Sequence, residues 1–481
     1  MQIGIDFGTS YSAAAAYVEG RLEGIRFGEQ DQFRTAVFFP AAVPDPADFY
    51  LDAEREREVE DYVRSARAAQ RSVSAARQQR RDEAEELTGR NSSEAPGYEP
   101  AARSEADLRA AGIRHVRRSW MERLVRESQG AVVRVNDALF GDEAIDAYIN
   151  DGLGHLVESP KSMLGYKLLP NARRVILHIA SHVLEHIRLS ATRQLGAPVR
   201  TAILGRPVEF KSAMGAQGTV QALEMLTEAA QSAGFEQIAF LEEPAAAAMH
   251  YHTQLSVPER SLIVDVGGGT TDVAFAEVGG GAAAARILGS WGLPRGGTDI
   301  DIELSLAAFM PLFGRGHHLI PVHHFREAAS VHSPPQQKEF RGHNYRDSPQ
   351  PFGARLQALQ RTGSTSLLNR EAERMKIALG QVASDCVDLD FIEDGLVANL
   401  DRRHRDQAYT DFLDRLAALL RRVRADIDAV PDSIFLTGGS SRAPLIREAV
   451  AREFPGVRMV IGDASLGVVS GLAVAAQQWQ L

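Results

Sequence analysis

The stretch Leu262 to Val278, "LIVDVGGGTTDVAFAEV", decides the fold. An apolar run stops on Asp265. Gly267, Gly268 and Gly269 follow with Thr270 and Thr271, then Asp272 and a second apolar run. Short apolar runs divided by a glycine turn read as the two strands of a hairpin. The same order occurs near the start, Ile3 to Val18, "IGIDFGTSYSAAAAYV": strand, Asp6, Gly8, Thr9, Ser10, Tyr11, strand. Two copies, 259 positions apart from Asp6 to Asp265, imply an internally duplicated, two-lobed molecule with the copies facing each other across a cleft. Glycine lets backbone amides approach an anion closely, and the hydroxyls beside it add donors. One such turn is commonplace, but two matched turns can grip a phosphate chain from both sides. A carboxylate at phosphate is repelled unless a divalent cation lies between them. Mg²⁺ is therefore expected at Asp6 and Asp265, held partly through water. The sequence G-x-x-x-x-G-K-[ST] does not occur, which excludes a P-loop protein.

Composition narrows the classes. The 481 residues leave room for about three domains. A net charge of −10 argues against general nucleic-acid binding. One cysteine, Cys386, rules out an internal disulfide and a cysteine metal cluster and suits a reducing, cytoplasmic setting. The chain enters a strand at once, and no apolar run reaches 18 residues, so neither a signal segment nor a membrane span is expected. Basic charge is carried almost wholly by arginine; the five lysines are Lys161, Lys167, Lys211, Lys338 and Lys376.

Four regions follow one another. Residues 1–44 are strand-rich. Residues 45–130 carry a helical period, with Val59, Tyr62, Ala66, Ala69, Val73 and Ala76 as an apolar seam. Nine acids and nine arginines between 54 and 90 balance its outer face, "GRNSSEAPGYEP" (89–100) breaks it, and Ile113, Val116, Trp120 and Leu124 mark a second helix. This is an inserted helical hairpin, either an offered surface or a decoration. Residues 131–300 alternate strands and helices, as in "TAILGRP" (201–207) and "QIAFLEEPAAAAMHY" (237–251), which implies an α/β protein with largely parallel sheets. The last region holds "SIFLTGGSSRAPLIREAVAREF" (433–454), a strand, glycine turn and helix, and an apolar closing helix at 467–479. Residues 314–352, rich in His and Pro, read as surface loop, and His317, His318, His323 and His324 as loop residues rather than metal ligands. "HVLEH" (182–186), with His178, has metalloprotease-like spacing, but Val175, Ile176, Ile179, Val183 and Ile187 make the same helix a core stripe. Cys386 reads as a buried small apolar residue.

Taken in order, "IGIDFGTSYS", "EEPAAAA", "IVDVGGGTTDV", "RGGTDID", "EAERMKIAL" and "LTGGSSRAPLI" resemble the actin-like ATPase superfamily. Within it the resemblance is to the nucleotide-binding domain of DnaK-type heat-shock chaperones, most of all the shorter YegD-type relatives. The likeness runs from residue 1 to about 475. It implies a duplicated actin-like ATPase (ribonuclease-H-like) fold: lobe I over 1–254, lobe II over 255–462, and a helix at 463–481 returning to lobe I. It also implies ATP or ADP with Mg²⁺ in the cleft, slow hydrolysis, and protein partners or clients that read lobe closure. By this resemblance Gly8, Thr9, Ser10 and Tyr11 form the first phosphate loop, and Gly267, Gly268, Gly269, Thr270 and Thr271 the second. Asp6 and Asp265 hold hydrated Mg²⁺. "ESPKSMLG" (158–165) puts Lys161 at the γ-phosphate, and "FGDEAIDAY" (140–148) supports that register. Glu243 orients the attacking water, with Thr270 and Asp272 nearby. Gly296, Gly297, Thr298, Glu373, Lys376, Gly438, Gly439, Ser440 and Arg442 serve the nucleoside and phosphate side, and Pro207 stands where the family has a switching proline.

The pattern departs at three points. Ile377 replaces the family arginine that stacks on adenine, which should weaken base contact. The chain stops where the ATPase domain is expected to stop, without a peptide-binding domain. The 45–130 insertion has no counterpart in the motif set. A sugar-type kinase and an actin-like filament former are the alternatives within the superfamily.

Overall fold

The computed structural model describes the chain except residues 41–48, 89–103, 128–137, 152–153, 213, 282–283, 463–465 and 480–481. It opens with β1 (Gln2–Phe7), β2 (Tyr11–Val18), β3 (Arg21–Gly24), β4 (Gln32–Arg34) and β5 (Ala36–Pro40). Helices α1 (Ala53–Thr88) and α2 (Glu105–Glu127) follow, then β6 (Leu139–Phe140), α3 (Gly141–Asp151) and β7 (Gly154–Glu158). Next come α4 (Pro170–Leu195), β8 (Thr201–Arg206), α5 (Ala216–Ser232), β9 (Gln237–Glu242) and α6 (Glu243–His252). The chain continues through β10 (Glu259–Val266), β11 (Thr271–Val278), β12 (Arg286–Leu293) and α7 (Gly297–Leu304). Helices α8 (Val322–Ala329), α9 (Pro334–Gly342), α10 (Phe352–Leu359) and α11 (Ser364–Ala378) precede β13 (Ser384–Asp388) and β14 (Val397–Asp401). The last elements are α12 (Arg402–Asp426), β15 (Ser433–Thr437), α13 (Pro444–Glu453), β16 (Arg458–Ile461) and α14 (Gly467–Gln478).

Two sheets share one plan. The first has the order β3-β2-β1-β8-β9, and the second β12-β11-β10-β15-β16. In each, a hairpin pairs antiparallel (β1 with β2, β10 with β11), and two further strands run parallel to the hairpin's first strand. The two sequence copies are thus two copies of one topology, the duplicated plan of the actin-like ATPase fold.

Strand alternation sets what each hairpin shows to either side. Ile3, Ile5 and Phe7 bury in one core with α4 and α5 residues such as Val183 and Leu226, leaving Gly4 and Asp6 on the opposite face. Leu262, Val264 and Val266 bury in a second core, leaving Ile263 and Asp265 opposite. Between the sheets lie α6 and α14, with Ala246, Ala247, Leu472 and Ala475 in a third apolar cluster that also takes Ile263 and Phe435. The helices can approach this closely because Gly471 lies against the Ala246 carbonyl and Gly4 against the α14 backbone, where a Cβ would overlap main-chain atoms.

The inserted hairpin is present, with Val59, Leu108 and Val116 buried between its helices. Arg118 Nη2 donates to the Ile149 carbonyl at 2.7 Å, tying α2 to α3. Ala66 is buried and Tyr62 half-buried, while the side chains of Ala69, Val73, Ala76 and Leu124, and the breaker 89–100, lie outside the described residues. Three expectations need correction. Residues 314–352 are not loop: α8 and α9 occupy much of this stretch and bury Phe325, Phe340 and Tyr345. The prolines that read as breakers start helices instead, Pro334 in the first turn of α9 and Pro321 just before α8, where a missing N–H costs nothing. Val175 is 56% exposed rather than core. Cys386 is half-buried in β13. No described helix is long and apolar enough to cross a membrane.

Candidate functional site

Each hairpin ends on its carboxylate and turns toward a shared cleft of about 630 Å³. This volume suits a small-molecule ligand. Asp6, Gly8, Thr9, Ser10 and Tyr11 line one wall, with Lys161 and Glu243; Asp265, Gly267, Gly268, Gly269 and Thr270 line the other. The walls meet where Gly268 faces the Ser10 hydroxyl and Gly269 the Thr9 hydroxyl, and a Cβ at either glycine would overlap them.

Both turns have their carbonyls tied back. The Gly267 carbonyl accepts from Gly297 N at 3.0 Å, and the Gly268 carbonyl from Thr298 N at 2.8 Å and Thr298 Oγ1 at 2.9 Å. In the first turn, the Ser10 carbonyl accepts from Thr35 N at 2.8 Å and the Thr9 carbonyl from Ser159 Oγ at 2.5 Å. These oxygens are thus engaged by the protein itself, which spares an anion in the cleft their repulsion, while the Gly267 N–H closes its own hairpin on the Thr270 carbonyl at 3.0 Å. Ser159 sits at a left-handed φ of 55° and begins the turn Pro160–Met163 that carries Lys161. The same residue thus shapes the first turn and positions the lysine.

Lys161 Nζ lies 2.5 Å from Glu243 Oε1, and both side chains are buried. Glu243 starts α6, so the strand-to-helix reading of "LEEPAAAA" is what brings it here. Burial, then Glu243, push Asp6 up to about 7. The same causes push Asp272 up to about 8 and Asp265 well above the usual carboxylate range. Burial alone would lower the Lys161 ammonium, but Glu243 and Asp6 outweigh it and hold it high. Asp6, Asp265 and Glu243 line the cleft with one ammonium and offer it a hard-oxygen donor set, and this fits a magnesium-class dication.

The outer part of the cleft takes Gly297, Thr298, Glu373, Lys376, Gly438, Gly439, Ser440 and Arg442. Gly438 has a φ of 83° and lies against Asp265 Oδ1 and the Val266 carbonyl, leaving no room for a side chain. Lys376 Nζ pairs with Asp301 at 2.9 Å. Glu373 Oε2 meets Arg34 Nη2 at 2.9 Å, and the same guanidinium donates to the Tyr11 hydroxyl at 2.8 Å. Ile377 lines the outer end and is 61% exposed.

Three residues of the expected set stand behind the wall. Thr271 is buried and its hydroxyl donates to the Arg295 carbonyl at 2.9 Å. Asp272 is buried and accepts from Val208 N at 2.7 Å, directly after Pro207, so the first sheet's segment touches the second hairpin there. Gly296 packs under the Gly267 and Gly268 carbonyls. Sequence reasoning missed Gln381, Arg405, Tyr409 and Arg447, which line the outer end. They come from α12, α13 and the end of α11, and no motif marks them. The "HVLEH" helix shows no metal triad: His186 stacks on Phe140 at 4.2 Å, while His178 and His182 face each other with Nε2 atoms 3.1 Å apart.

The duplicated topology and the paired turns define an actin-like ATPase fold. Residues 210–289, which include the second hairpin, match the family model described as MreB/Mbl protein. The chain is also similar to chaperone protein dnaK of Emiliania huxleyi, 28% identical over 281 residues, 56% of this chain and 38% of the relative. Chaperone protein DnaK of Trichormus variabilis is 30% identical over 281 residues, 56% of this chain and 34% of that protein. The chain spans about a third of the length of the curated relatives it matches.

Proposed function

We propose that this chain is a DnaK-like nucleotide switch that binds Mg-ATP between its lobes and hydrolyses it slowly. The observation that carries this reading is the convergence of the Asp6 and Asp265 hairpins, each with carbonyls tied back, on one cleft that also holds Lys161 and Glu243. Asp6 and Asp265 would hold the Mg²⁺, which offsets phosphate charge when bound. Backbone N–H groups of Gly8–Ser10 and Gly268–Thr270 bind the phosphates. Lys161 stabilises charge on the leaving phosphoryl oxygens, and Glu243 orients the water that attacks phosphorus. Gly297, Thr298, Glu373, Lys376, Gly438, Gly439, Ser440 and Arg442 take the nucleoside. The lobes are 1–254 and 255–462, with 463–481 returning to lobe I; Asp272 and Pro207 couple nucleotide state to lobe angle. The output is a conformational change read by protein partners in the cytoplasm, and the hairpin of α1 and α2 offers them a surface. The likeness to YegD-type DnaK relatives belongs to the same reading.

The test is thermal unfolding with Mg-ATP and with ATP plus chelator, together with phosphate release in the absence of any acceptor. Stabilisation that needs magnesium, with slow acceptor-free release, supports the switch; no stabilisation at millimolar Mg-ATP overturns it. Release only on adding a sugar would mean a kinase. The MreB/Mbl match at 210–289 favours one second reading, a filament former, which nucleotide-dependent sedimentation would reveal.

A further inference from the structure

We propose that His323, His324 and His343 form a binding site for a zinc-class divalent ion, separate from the nucleotide cleft. His323 and His324 lie in the first turn of α8, and His343 follows α9 directly. Each ring offers one nitrogen, and these atoms all lie within 4.8 Å of one another. The His323 and His324 ring centroids are 4.5 Å apart, and those of His324 and His343 are 3.5 Å apart and nearly parallel.

The arrangement is held from outside. Glu327 Oε2 lies 2.6 Å from His343 Nε2, the carboxylate–histidine contact that orients metal-ligating rings. Gln360 Nε2 donates to the His343 and Phe340 carbonyls at 2.9 and 2.8 Å, fixing the backbone of His343. Gln337 Nε2 donates to the Glu327 carbonyl at 2.8 Å and ties α9 to the end of α8.

A purely structural stack of rings accounts for this corner less well. Phenyl rings would gain the same dispersion without the cost of burying polar nitrogens. Here His324 Nδ1 is buried with no hydrogen-bond partner, and so is the nearby Tyr345 hydroxyl. Buried polar atoms of this kind call for an explanation, and an ion that accepts the nitrogen lone pair supplies one. Three imidazoles select zinc, cobalt, nickel or copper over magnesium or calcium. Zinc–nitrogen bonds of about 2.0–2.1 Å in a tetrahedron put donors roughly 3.3 Å apart. The rings therefore have to close by up to about 1.5 Å, and His324 and His343 have to tilt out of their parallel stack, so that the three lone pairs converge. His323 is exposed, so the fourth position faces water. The ion would clip α8 to the segment after α9.

The test uses the whole chain, stripped with chelator and held in excess magnesium to occupy the cleft. Zinc affinity is read by competition with a chromogenic chelator, and cobalt by its tetrahedral absorption. We expect one zinc per chain, a cobalt spectrum abolished by zinc, and at least about 10-fold weaker binding in His324→Gln and His343→Gln. Glu327→Gln should weaken it by about 10-fold, as outer partners do. If a buried-ring variant does not fold, the exposed His323→Gln decides. Absence of stoichiometric binding, unchanged affinity in His323→Gln, or loss of binding in His178→Gln with His182→Gln instead would overturn the site.

Discussion

Lys161 is a buried ammonium facing buried carboxylates, so its charge is worth more there than in water. Lys161→Met should slow single-turnover phosphate release by about 10²-fold or more while Mg-ATP still raises the melting temperature. Gly438→Ala should do the reverse. Its Cβ would enter Asp265 Oδ1 and a main-chain carbonyl at a left-handed φ, so the variant should lose both nucleotide-dependent stabilisation and roughly 1–3 kcal/mol of its own stability by denaturant titration. Ile377 is exposed at the outer end of the cleft, so Ile377→Arg costs the fold little. A restored cation–π plane should tighten ATP binding about 2- to 5-fold by calorimetry, from about 0.5–1 kcal/mol at an exposed site. At this scale the sequence was informative wherever chemistry needs a residue type at a fixed spacing, as with Asp6 and Gly8 or Asp265 and Gly267. It was silent on the tied-back carbonyls, because Ser159 meets Thr9 across 150 positions.

Helix α4 carries the next lesson. His186 lies among Phe27, Phe33 and Phe140, and burial with Arg193 pushes its imidazole down to about 4. The unfolded chain takes up this proton near 6.5 but the folded chain does not until about 4. The unfolded state therefore binds more protons between those values, and stability falls as pH drops through that window. At about 1.36 kcal/mol per unit the loss approaches ~3 kcal/mol by pH 4. His186→Phe should flatten that part of the stability curve, measured by urea unfolding from pH 7 to pH 4. Periodicity in 172–195 gave the core stripe but not this role, since the aromatic partners come from distant strands. The misreading of 314–352 has another cause: Pro321 and Pro334 look alike as breakers whether they end order or begin a helix.

Across the whole molecule, alternating strands and helices with two matched hairpins were enough to anticipate a duplicated plan, and the strand orders bear it out. What spacing could not convey is how far the halves are drawn together. Arg34 binds Glu373 and Tyr11 on one side of the cleft, Lys211 binds Asp299 at 2.9 Å, and Ser366 donates to Glu158 at 2.7 Å. Glu373→Gln removes the charge of Arg34's half-buried partner and should speed ADP release several-fold, read by stopped-flow with a fluorescent analogue.

Helix α14 is laid against Gly4 and packs Val469 and Ala473 onto Ala13 and Ala15, although all of the second sheet is synthesised between them. Pairing positions 4 and 473 joins points 469 residues apart, so this closure is among the slowest and least local steps available to the chain. During translation the alanine face of β2 must wait, uncovered, until the ribosome has passed Ala473. A nascent chain stalled before Gly467 should then be protease-sensitive in its earliest strands, and the first hairpin should become competent to hold an anion only after the whole second sheet has been made.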